Sequence, residues 1–240
     1  MRLLVRTLSE LCITAGTLIV LFVVYVLYWT GIQADGATAG QVDTLQQAWA
    51  DRPVEPDVAP GAPGATPAPR PYTAGEGIAV MYVPRLGADW EWPVLEGTGT
   101  GILKKGLGHY AGTARLGATG NFSVAGHRRT YGDPFKDFPR LRPGDAVVLT
   151  DGTTWYTYRI DREPYRTVPT DTGVVDPVPR PLRKGAAGFT GPGRYLTLTT
   201  CDPEWGSSHR LIVWAHLDAT RPVSAGRPQA LDSRPQALGG

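Results

Sequence analysis

The N-terminal part of the chain is dominated by one uninterrupted apolar run, which extends from Leu11 to Trp29. Its 19 residues carry no charge, and as a helix rising about 1.5 Å per residue the run would be roughly 28 Å long, close to the ~30 Å hydrocarbon thickness of a bilayer. Arg2 and Arg6 precede the run, whereas Asp35 and Asp43 follow it. This pattern predicts a transmembrane helix with its N-terminus in the cytoplasm and the rest of the chain outside.

A cleaved signal peptide is the alternative interpretation of the apolar run. The run is longer than the apolar region of an ordinary signal peptide. In addition, no small-x-small cleavage motif follows it at once. We therefore expect an uncleaved, single-pass anchor in the cell membrane.

The segment between the apolar run and the main domain has two patterns of its own. Val42, Leu45 and Trp49 fall on one helical face, which predicts a short juxtamembrane helix over residues 37–50. Residues 51–71 contain seven prolines. Such a composition predicts a stiff, extended spacer that holds the following domain away from the bilayer.

From about residue 73 to residue 220, apolar and polar residues alternate in short runs rich in β-branched and aromatic side chains. Alternation with a period of two is typical of strands with one buried face. The candidate strands are Gly77–Val83, Trp90–Leu95, Asn121–Gly126, Ala146–Thr150, Thr154–Ile160, Glu163–Val168, Arg194–Thr200 and Arg210–Leu217. Many short strands separated by turns predict an all-β domain, either a closed barrel or a sandwich.

The last 20 residues contain the sequence Arg-Pro-Gln-Ala-Leu twice and are rich in Pro, Gly and Ser. This composition predicts a disordered tail. The predicted organisation comprises a cytoplasmic N-terminus (1–10), a transmembrane helix (11–29), a juxtamembrane and Pro-rich linker (30–72), the all-β domain (73–220) and the tail (221–240).

Composition and charge narrow the function classes only slightly. The formal net charge is +2, so nothing indicates a nucleic-acid binder. The two cysteines are Cys12, inside the apolar run, and Cys201, in the all-β domain, so we do not expect a disulfide between them. An unpaired thiol in an exported protein raises the hypothesis of a reactive cysteine, and a buried structural thiol is the alternative.

Cys201 ends a threonine-rich strand, and a thiol there needs a base and an oxyanion donor to act as a nucleophile. His127 is the first candidate for the base, because it follows an apolar strand and a glycine. His109 lies in a glycine-rich segment, which we expect to be a loop that lines a cleft. Arg210 begins the next strand, and its guanidinium can donate hydrogen bonds to an oxyanion. A surface arginine is the alternative reading of Arg210, and Arg128 is a further candidate donor.

The sequence around these positions resembles the sortases, the membrane-anchored cysteine transpeptidases of Gram-positive bacteria. The resemblance covers about residues 75–218. It rests on the segments Gly120–Arg128, Leu141–Asp145 and Leu198–Cys201 and on Arg210. It implies a closed eight-stranded sortase-type β-barrel. It further implies that Cys201 is the nucleophile, that His127 is the general acid/base, and that Arg210 stabilises the oxyanion or orients the substrate.

The resemblance also implies the reaction and its partners. Sortases cut a C-terminal sorting signal between threonine and glycine, hold the threonine as a thioester on the cysteine, and pass it to an amine. The implied partners are secreted proteins that carry the signal, a lipid-linked peptidoglycan precursor that supplies the amine, and the membrane, with no nucleic acid. Thr200 matches the position that helps to stabilise the oxyanion. We expect no cofactor and no metal, because no acidic cluster is spaced for calcium.

The segment His127–Phe135 is similar to the actinobacterial class E sortases, which are associated with a Leu-Ala-x-Thr-Gly signal. Tyr131 matches the tyrosine linked to that preference, and a loop aromatic packed on the barrel is the alternative. The predicted substrate-binding residues are therefore Thr200, Tyr131 and His109. A pilus-assembling sortase, which uses a pilin lysine as the acceptor, is the alternative function. A stalked surface binding module with a structural cysteine is the alternative from another class.

Overall fold

The structure is a computed structural model that describes residues 2–51 and 70–232. In the N-terminal part it describes the side chains of residues 5–25 and 40–51. Most of the predicted spacer and residues 233–240 of the predicted tail lie outside the described residues.

The N-terminal part forms a single helix, α1, which extends over Arg2–Ala50 and contains 49 residues. The prediction of two separate helices, 11–29 and 37–50, is therefore wrong. Residues 30–36 contain no proline, so no backbone donor is missing and the helix propagates through them. Within α1, the segment Val5–Tyr25 is exposed and is long and apolar enough to cross a membrane, by length and composition.

The C-terminal end of α1 packs on the domain that follows it. Val42 and Leu45 form an apolar cluster with Val80, and Trp49 and Tyr82 pack against this cluster. The three helix residues that the sequence pattern places on one face therefore all contact the domain.

Two glycines make this close packing possible. A Cβ atom at Gly77 would collide with the side chain of Leu45, and a Cβ atom at Gly152 would collide with the indole of Trp49. Helix α1 therefore contacts the domain directly, and the predicted Pro-rich spacer over residues 51–71 lies mostly outside the described residues.

The domain contains nine strands within the described residues. In chain order they are β1 (Gly77–Tyr82), β2 (Glu91–Glu96), β3 (Leu107–His109), β4 (Gly120–Ala125), β5 (Ala146–Thr150), β6 (Thr154–Ile160), β7 (Tyr165–Thr167), β8 (Arg194–Asp202) and β9 (His209–Pro222). A single helical turn, α2 (Thr100–Leu103), precedes β3.

Eight of the described strands close a barrel in the order β6-β5-β1-β2-β3-β4-β8-β9, and the pairing of β6 with β9 closes the ring. The pairs β2–β3 and β4–β8 are parallel, and the other neighbours are antiparallel. The predicted closed eight-stranded barrel is confirmed. Its membership differs from the prediction, because β3 belongs to the ring whereas β7 lies outside it and pairs with the first part of β9.

Alternation along each strand separates an inner from an outer face. On β8, Leu196 and Leu198 are fully buried in the barrel core, whereas Thr197 and Thr199 point outward. A second apolar cluster covers part of this outer face: Tyr165, Val174, Ala187, Ile212 and Trp214. The segment between β7 and β8, residues 168–193, supplies Val174 and Ala187 and is called the covering segment below.

The C-terminal end of the chain is more ordered than predicted. Strand β9 continues to Pro222 because its second half pairs with β6. Two 3-10 turns follow, at Val223–Ala225 and Gln229–Leu231, and the N–H of Val223 donates to the carbonyl of Thr153. The prediction of a disordered tail is therefore wrong for residues 221–232.

Candidate active site

Cys201 and Arg210 face each other across two antiparallel strands. The register of β8 and β9 pairs Cys201 with Arg210. Cys201 shares the outer face of β8 with Thr199, because side chains two residues apart point the same way. Its thiol is free and its side chain is half-buried.

His127 is brought to the same end of the barrel by the parallel pairing of β4 with β8. The register pairs Ala125 with Thr199, and the N–H of Gly126 donates to the carbonyl of Thr199. Continued by one more pair of residues on the same face, this register places His127 level with Cys201. The structure therefore brings together Cys201, His127 and Arg210, the three residues predicted to be catalytic.

A close approach explains the glycine before the histidine. A Cβ atom at Gly126 would lie 2.6 Å from the ring of Phe135 and 2.7 Å from Leu107. The N–H of Phe135 donates to the carbonyl of His127 at 3.0 Å. The loop that follows β4 thus folds back, and this hydrogen bond fixes the backbone of His127.

The environment of His127 favours the neutral imidazole. Burial lowers the pKa of His127, Asp133 acts in the opposite direction, and the positive charge of Lys104 lowers it further. Its Nε2 atom is buried, and no described residue makes a hydrogen bond to it. A neutral imidazole with a vacant nitrogen can accept a proton from a neighbouring thiol.

Arg210 keeps part of its hydrogen-bonding capacity unused. Its Nη1 atom donates to the carbonyls of Ser207 and His209, both at 2.9 Å, which fixes the guanidinium against the loop between β8 and β9. No carboxylate among the described residues pairs with it. The remaining N–H groups can therefore donate to an oxyanion that develops beside Cys201.

A network of charged residues that the sequence pattern did not predict holds the two ends of the site together. Arg128 donates to Asp202 at 2.6 Å and lies 3.5 Å from the carbonyl of Cys201. Arg166, on β7, donates to the second oxygen of Asp202 at 2.5 Å. Burial alone would raise the pKa of Asp202, but the hydrogen bonds from Arg166 and Arg128 outweigh it and lower that pKa. Asp202, the residue after Cys201, is thus bound to Arg128, the residue after His127.

Tyr131 lies at the edge of the site. Its ring centroid is 5.2 Å from that of His127, and the Nζ atom of Lys104 lies 5.2 Å from the Tyr131 ring. Tyr131, Gly132 and Asp133 are three consecutive residues with positive φ, at 52°, 82° and 53°. Such backbone is unusual for residues other than glycine and fixes the direction of the tyrosine side chain.

Thr200 lies beside Cys201 as expected, whereas His109 occupies another position than expected. The hydroxyl of Thr200 donates to the carbonyl of Gly126 at 2.9 Å, on the inner face of β8, so its proton is engaged in fixing the end of β4. His109 lies on strand β3 rather than in a loop, and its side chain is 1% exposed. The prediction that His109 lines a cleft is wrong, because the ring is enclosed in the barrel.

His109 instead takes part in a buried polar network. Its Nδ1 atom is 2.5 Å from a carboxylate oxygen of Glu96. Its Nε2 atom faces the carbonyl of Ala114 at 3.1 Å and the hydroxyl of Thr113 at 2.9 Å. Because that hydroxyl donates to the carbonyl of Tyr110, both ring nitrogens face acceptors, as in an imidazolium–carboxylate pair.

The covering segment is fastened to the outer face of the barrel at two points. The carbonyl of Val174 accepts hydrogen bonds from Asn121, Thr197 and Trp214 at 3.4, 3.3 and 3.0 Å. The carboxylate of Asp171 accepts from the hydroxyls of two β7 residues and from the backbone N–H of Leu182. The sequence signal for this attachment is weak: it consists of the polar residues Asn121 on β4 and Thr197 on β8.

The arrangement offers a thiol, a neutral base and a fixed cation at one end of neighbouring strands. This combination suits acyl transfer through a thioester, because the base can move one proton and the cation can stabilise one oxyanion. Within the part of the chain that the structure describes, no group of three or more His, Cys, Asp or Glu side chains is arranged to hold a metal ion.

Comparison with known sequences points to one family. The family profile described as Sortase domain matches residues 81–218. Sortase SrtE1 of Streptomyces coelicolor is 38% identical over 235 residues, which cover 95% of this chain and 61% of that relative. This chain therefore spans less than two thirds of the length of SrtE1. Sortase SrtE2 of the same species is 34% identical over 230 residues, with 93% and 85% of the two chains covered.

Solved structures agree with the sequence comparison. Sortase E from Streptomyces avermitilis superposes with a TM-score of 0.62 at 71% identity, covering 67% of this chain and 99% of that one. Sortase E1 from Streptomyces coelicolor, solved with a tripeptide in the active site, gives a TM-score of 0.59 at 40% identity, covering 65% and 97%. At these sequence identities, both structures share sequence as well as fold with this chain.

Proposed function

Because the chain belongs to the sortase family and is similar to its actinobacterial class E members, we propose that it is a membrane-anchored cysteine transpeptidase. Its substrates are secreted proteins with a Leu-Ala-x-Thr-Gly-like signal, and its acceptor is an amine of a lipid-linked peptidoglycan precursor. The observation that carries this proposal is the meeting of Cys201, His127 and Arg210 at one end of three neighbouring strands.

The first half of the reaction forms the thioester. His127, neutral and with a vacant Nε2 atom, takes the proton of the Cys201 thiol as the sulfur attacks the threonine carbonyl carbon. The carbonyl oxygen becomes an oxyanion, which the free N–H groups of Arg210 stabilise. When the threonine–glycine bond breaks, His127 returns its proton to the departing glycine amine.

The second half transfers the acyl group. The acceptor amine attacks the thioester carbonyl, and His127 takes a proton from the attacking nitrogen. The second oxyanion is stabilised at the same position, and its collapse forms the new amide and releases the sulfur of Cys201, which regains a proton from His127. One bond forms and one breaks in each half, and the enzyme returns to its starting state.

Tyr131 supports the proposed signal preference. Its half-buried ring lies beside His127 and is held there by left-handed backbone. A peptide approaching Cys201 along the outer face would meet this ring. We assign Tyr131 to signal recognition, whereas Thr200 acts by holding the end of β4 through its hydroxyl.

Helix α1 supports the proposed location. The segment Val5–Tyr25 is exposed and long and apolar enough to cross a membrane. Arg2 precedes it and Arg6 lies at its start, whereas Asp35 and Asp43 follow it. The positive-inside bias then places the N-terminus in the cytoplasm and the barrel outside, on the side of the wall precursor.

The experiment uses the full chain in detergent micelles, a fluorescent Leu-Ala-x-Thr-Gly peptide and either a wall-peptide amine or a pilin-type lysine peptide. We expect a thioester on Cys201 by mass spectrometry and an amide product with the wall amine. Cys201→Ala should abolish both, whereas the matched control Cys12→Ala, in the apolar run, should leave both unchanged.

Three outcomes would contradict all or part of the proposal. If Cys201→Ala formed as much product as the wild type, Cys201 would not be the nucleophile. The absence of any thioester or amide product in the wild type would instead favour the stalked binding module. Preference for the lysine peptide would assign the chain to pilus assembly with the same chemistry.

A further inference from the structure

A cavity of about 730 Å³ opens on the outer surface of the barrel, at the far end of the covering segment from Cys201. One wall is the turn between β6 and β7, residues 161–164, and the other is residues 183–189 of the covering segment. Tyr165, the first residue of β7, lies between the two walls.

The acidic and the basic side chains that line this cavity differ in their ion-pair partners. Each of the two acids has one polar partner: Oδ1 of Asp161 lies 2.8 Å from His216, and Glu163 lies 3.2 Å from Arg142. The Oδ2 atom of Asp161 is buried and has no hydrogen-bond partner among the described residues. The three cations, Arg162, Arg183 and Lys184, line the same cavity, and none of them has an ion-pair partner within the described ranges. Three cations against two carboxylates leave an excess of positive charge around the cavity, which favours the binding of an anion.

The two arginines are held in place by their surroundings. A Cβ atom at Gly188 would lie 2.6 Å from Nε and 2.8 Å from Nη2 of Arg162, so the guanidinium lies directly against glycine backbone. The guanidinium of Arg183 lies 4.8 Å from the ring centroid of Tyr165. A planar guanidinium that is already fixed loses little entropy when it binds an oxyanion through two parallel hydrogen bonds.

The strand register gives the distance from this cavity to the nucleophile. Tyr165 pairs with Ile212, and Cys201 pairs with Arg210, so the two Cα atoms are two strands and two residues apart. At about 4.8 Å per strand and about 3.3 Å per residue, the separation is roughly 12 Å. A molecule that occupies the cavity can therefore extend a chain of several bonds to the thioester.

We infer that this cavity binds an oxyanion group, a carboxylate or a phosphate, of the acceptor molecule. The choice of the acceptor rests on the proposed function. A Leu-Ala-x-Thr-Gly-like signal has no fixed negative charge, whereas a lipid-linked wall precursor has both peptide carboxylates and a diphosphate. The cavity thereby positions the amine that receives the acyl group and does not hold the peptide that is cut.

Direct binding is the first test, and it does not depend on turnover. Inorganic pyrophosphate and the tripeptide acetyl-lysyl-D-alanyl-D-alanine are titrated separately into the full chain in detergent micelles, by calorimetry. The preferred probe distinguishes phosphate from carboxylate as the bound group. We expect the double variant Arg183→Gln/Lys184→Gln to weaken the preferred probe by about tenfold or more, since hydrogen bonds to charged groups are the strong ones.

The matched control is Arg180→Gln, which removes an equally exposed arginine from the same segment. Arg180 pairs with Asp176 and does not line the cavity, so binding should be unchanged. The inference is overturned if neither probe binds the wild type more tightly than the double variant, or if Arg180→Gln weakens binding as much.

Steady-state kinetics form the second test. The double variant should raise KM for an acceptor amine that carries the preferred oxyanion by about tenfold, and leave KM for the signal peptide and turnover with hydroxylamine unchanged. An unchanged acceptor KM overturns the inference while the transpeptidase proposal stands. A wild type that binds a probe in the first test but forms no product refutes the transpeptidase proposal while the oxyanion site stands.

Discussion

Replacement of Asp202 by asparagine tests the charged network that holds the two ends of the site together. The side chains of Arg128 and Asp202 are 11% and 15% exposed, so this ion pair is mostly removed from water. Breaking a fully buried pair by removal of one partner costs about 3–5 kcal/mol. Because this pair is not fully buried and asparagine keeps one acceptor oxygen, we expect the free energy of unfolding to fall by about 2–3 kcal/mol.

The contribution of Arg166 to that loss is small. Its side chain is 54% exposed, and exposed ion pairs contribute about 0–1 kcal/mol. For a domain of this size, 1 kcal/mol corresponds to about 2–4 °C in Tm. Asp202→Asn should therefore lower Tm by roughly 5–10 °C at pH 7, measured by circular dichroism on the full chain in detergent micelles.

The dependence on pH identifies the charge as the cause. The folded state lowers the pKa of Asp202 below its ordinary value of 3.8, since the two arginines outweigh burial. A carboxylate with a lowered folded-state pKa stabilises the fold above its unfolded-state pKa and loses that contribution as the pH falls through the folded-state pKa. The difference between wild type and Asp202→Asn should be complete at pH 7 and should shrink below about pH 4.

The matched control is Asp218→Asn, because the pair of Asp218 with Arg159 is exposed on both sides, at 45% and 39%. It should change stability by less than about 1 kcal/mol. The reasoning is refuted if Asp218→Asn costs as much as Asp202→Asn, or if the Asp202→Asn difference is as large at pH 3 as at pH 7.

Three further predictions concern the histidine, the glycine before it and the buried pair. Because burial lowers the pKa of His127 from 6.5, the acidic limb of kcat/KM for transpeptidation should lie below pH 6.5, and a limb above that value would contradict the assignment of His127 as the base. Gly126→Ala should lower kcat at least tenfold, since its Cβ would lie 2.6 Å from a phenylalanine ring, whereas Gly99→Ala, with no atom within 4 Å, should not change it. Glu96→Gln should lower the free energy of unfolding by about 2–3 kcal/mol in urea titrations, because it removes the charge of a buried pair. Equal stability of this variant and the exposed control Glu163→Gln would show that the pair is not ionised.

The sequence predicted the strands that alternate over five or more residues, because a buried face leaves a clear period of two. Strand β3 was missed since it has only three residues, one of which is glycine, too few to show a period. Its assignment as a loop led directly to the wrong role for His109. Strand β7 also has only three residues, but it lies in a longer run of strand-forming residues, 163–168, and was predicted. Such a pattern does not show which neighbour a strand pairs with, so the position of β7 outside the ring was not predictable.

The three residues of the candidate site could be predicted because each follows or begins a strand and has a distinctive chemistry. The supports of the site could not. Asp202 and Arg128 are common surface residue types, and only the register of β4 and β8 brings them together. The attachment of the covering segment through the Val174 carbonyl depends on a backbone atom, which leaves no mark in the sequence beyond the partner Asn121.

Leu45 and Trp49 pack on the barrel, so the C-terminal end of helix α1 holds the barrel in a fixed orientation relative to the helix axis. If Val5–Tyr25 spans the bilayer, the 17 residues from Tyr25 to Val42 set the height of the barrel above the membrane at about 25 Å. They also set its rotation, since each residue added to that stretch would turn the barrel by about 100° around the helix axis and raise it by about 1.5 Å. Under the proposed membrane orientation, the direction in which the Cys201 end of the barrel faces therefore depends on the number of residues in this stretch of helix.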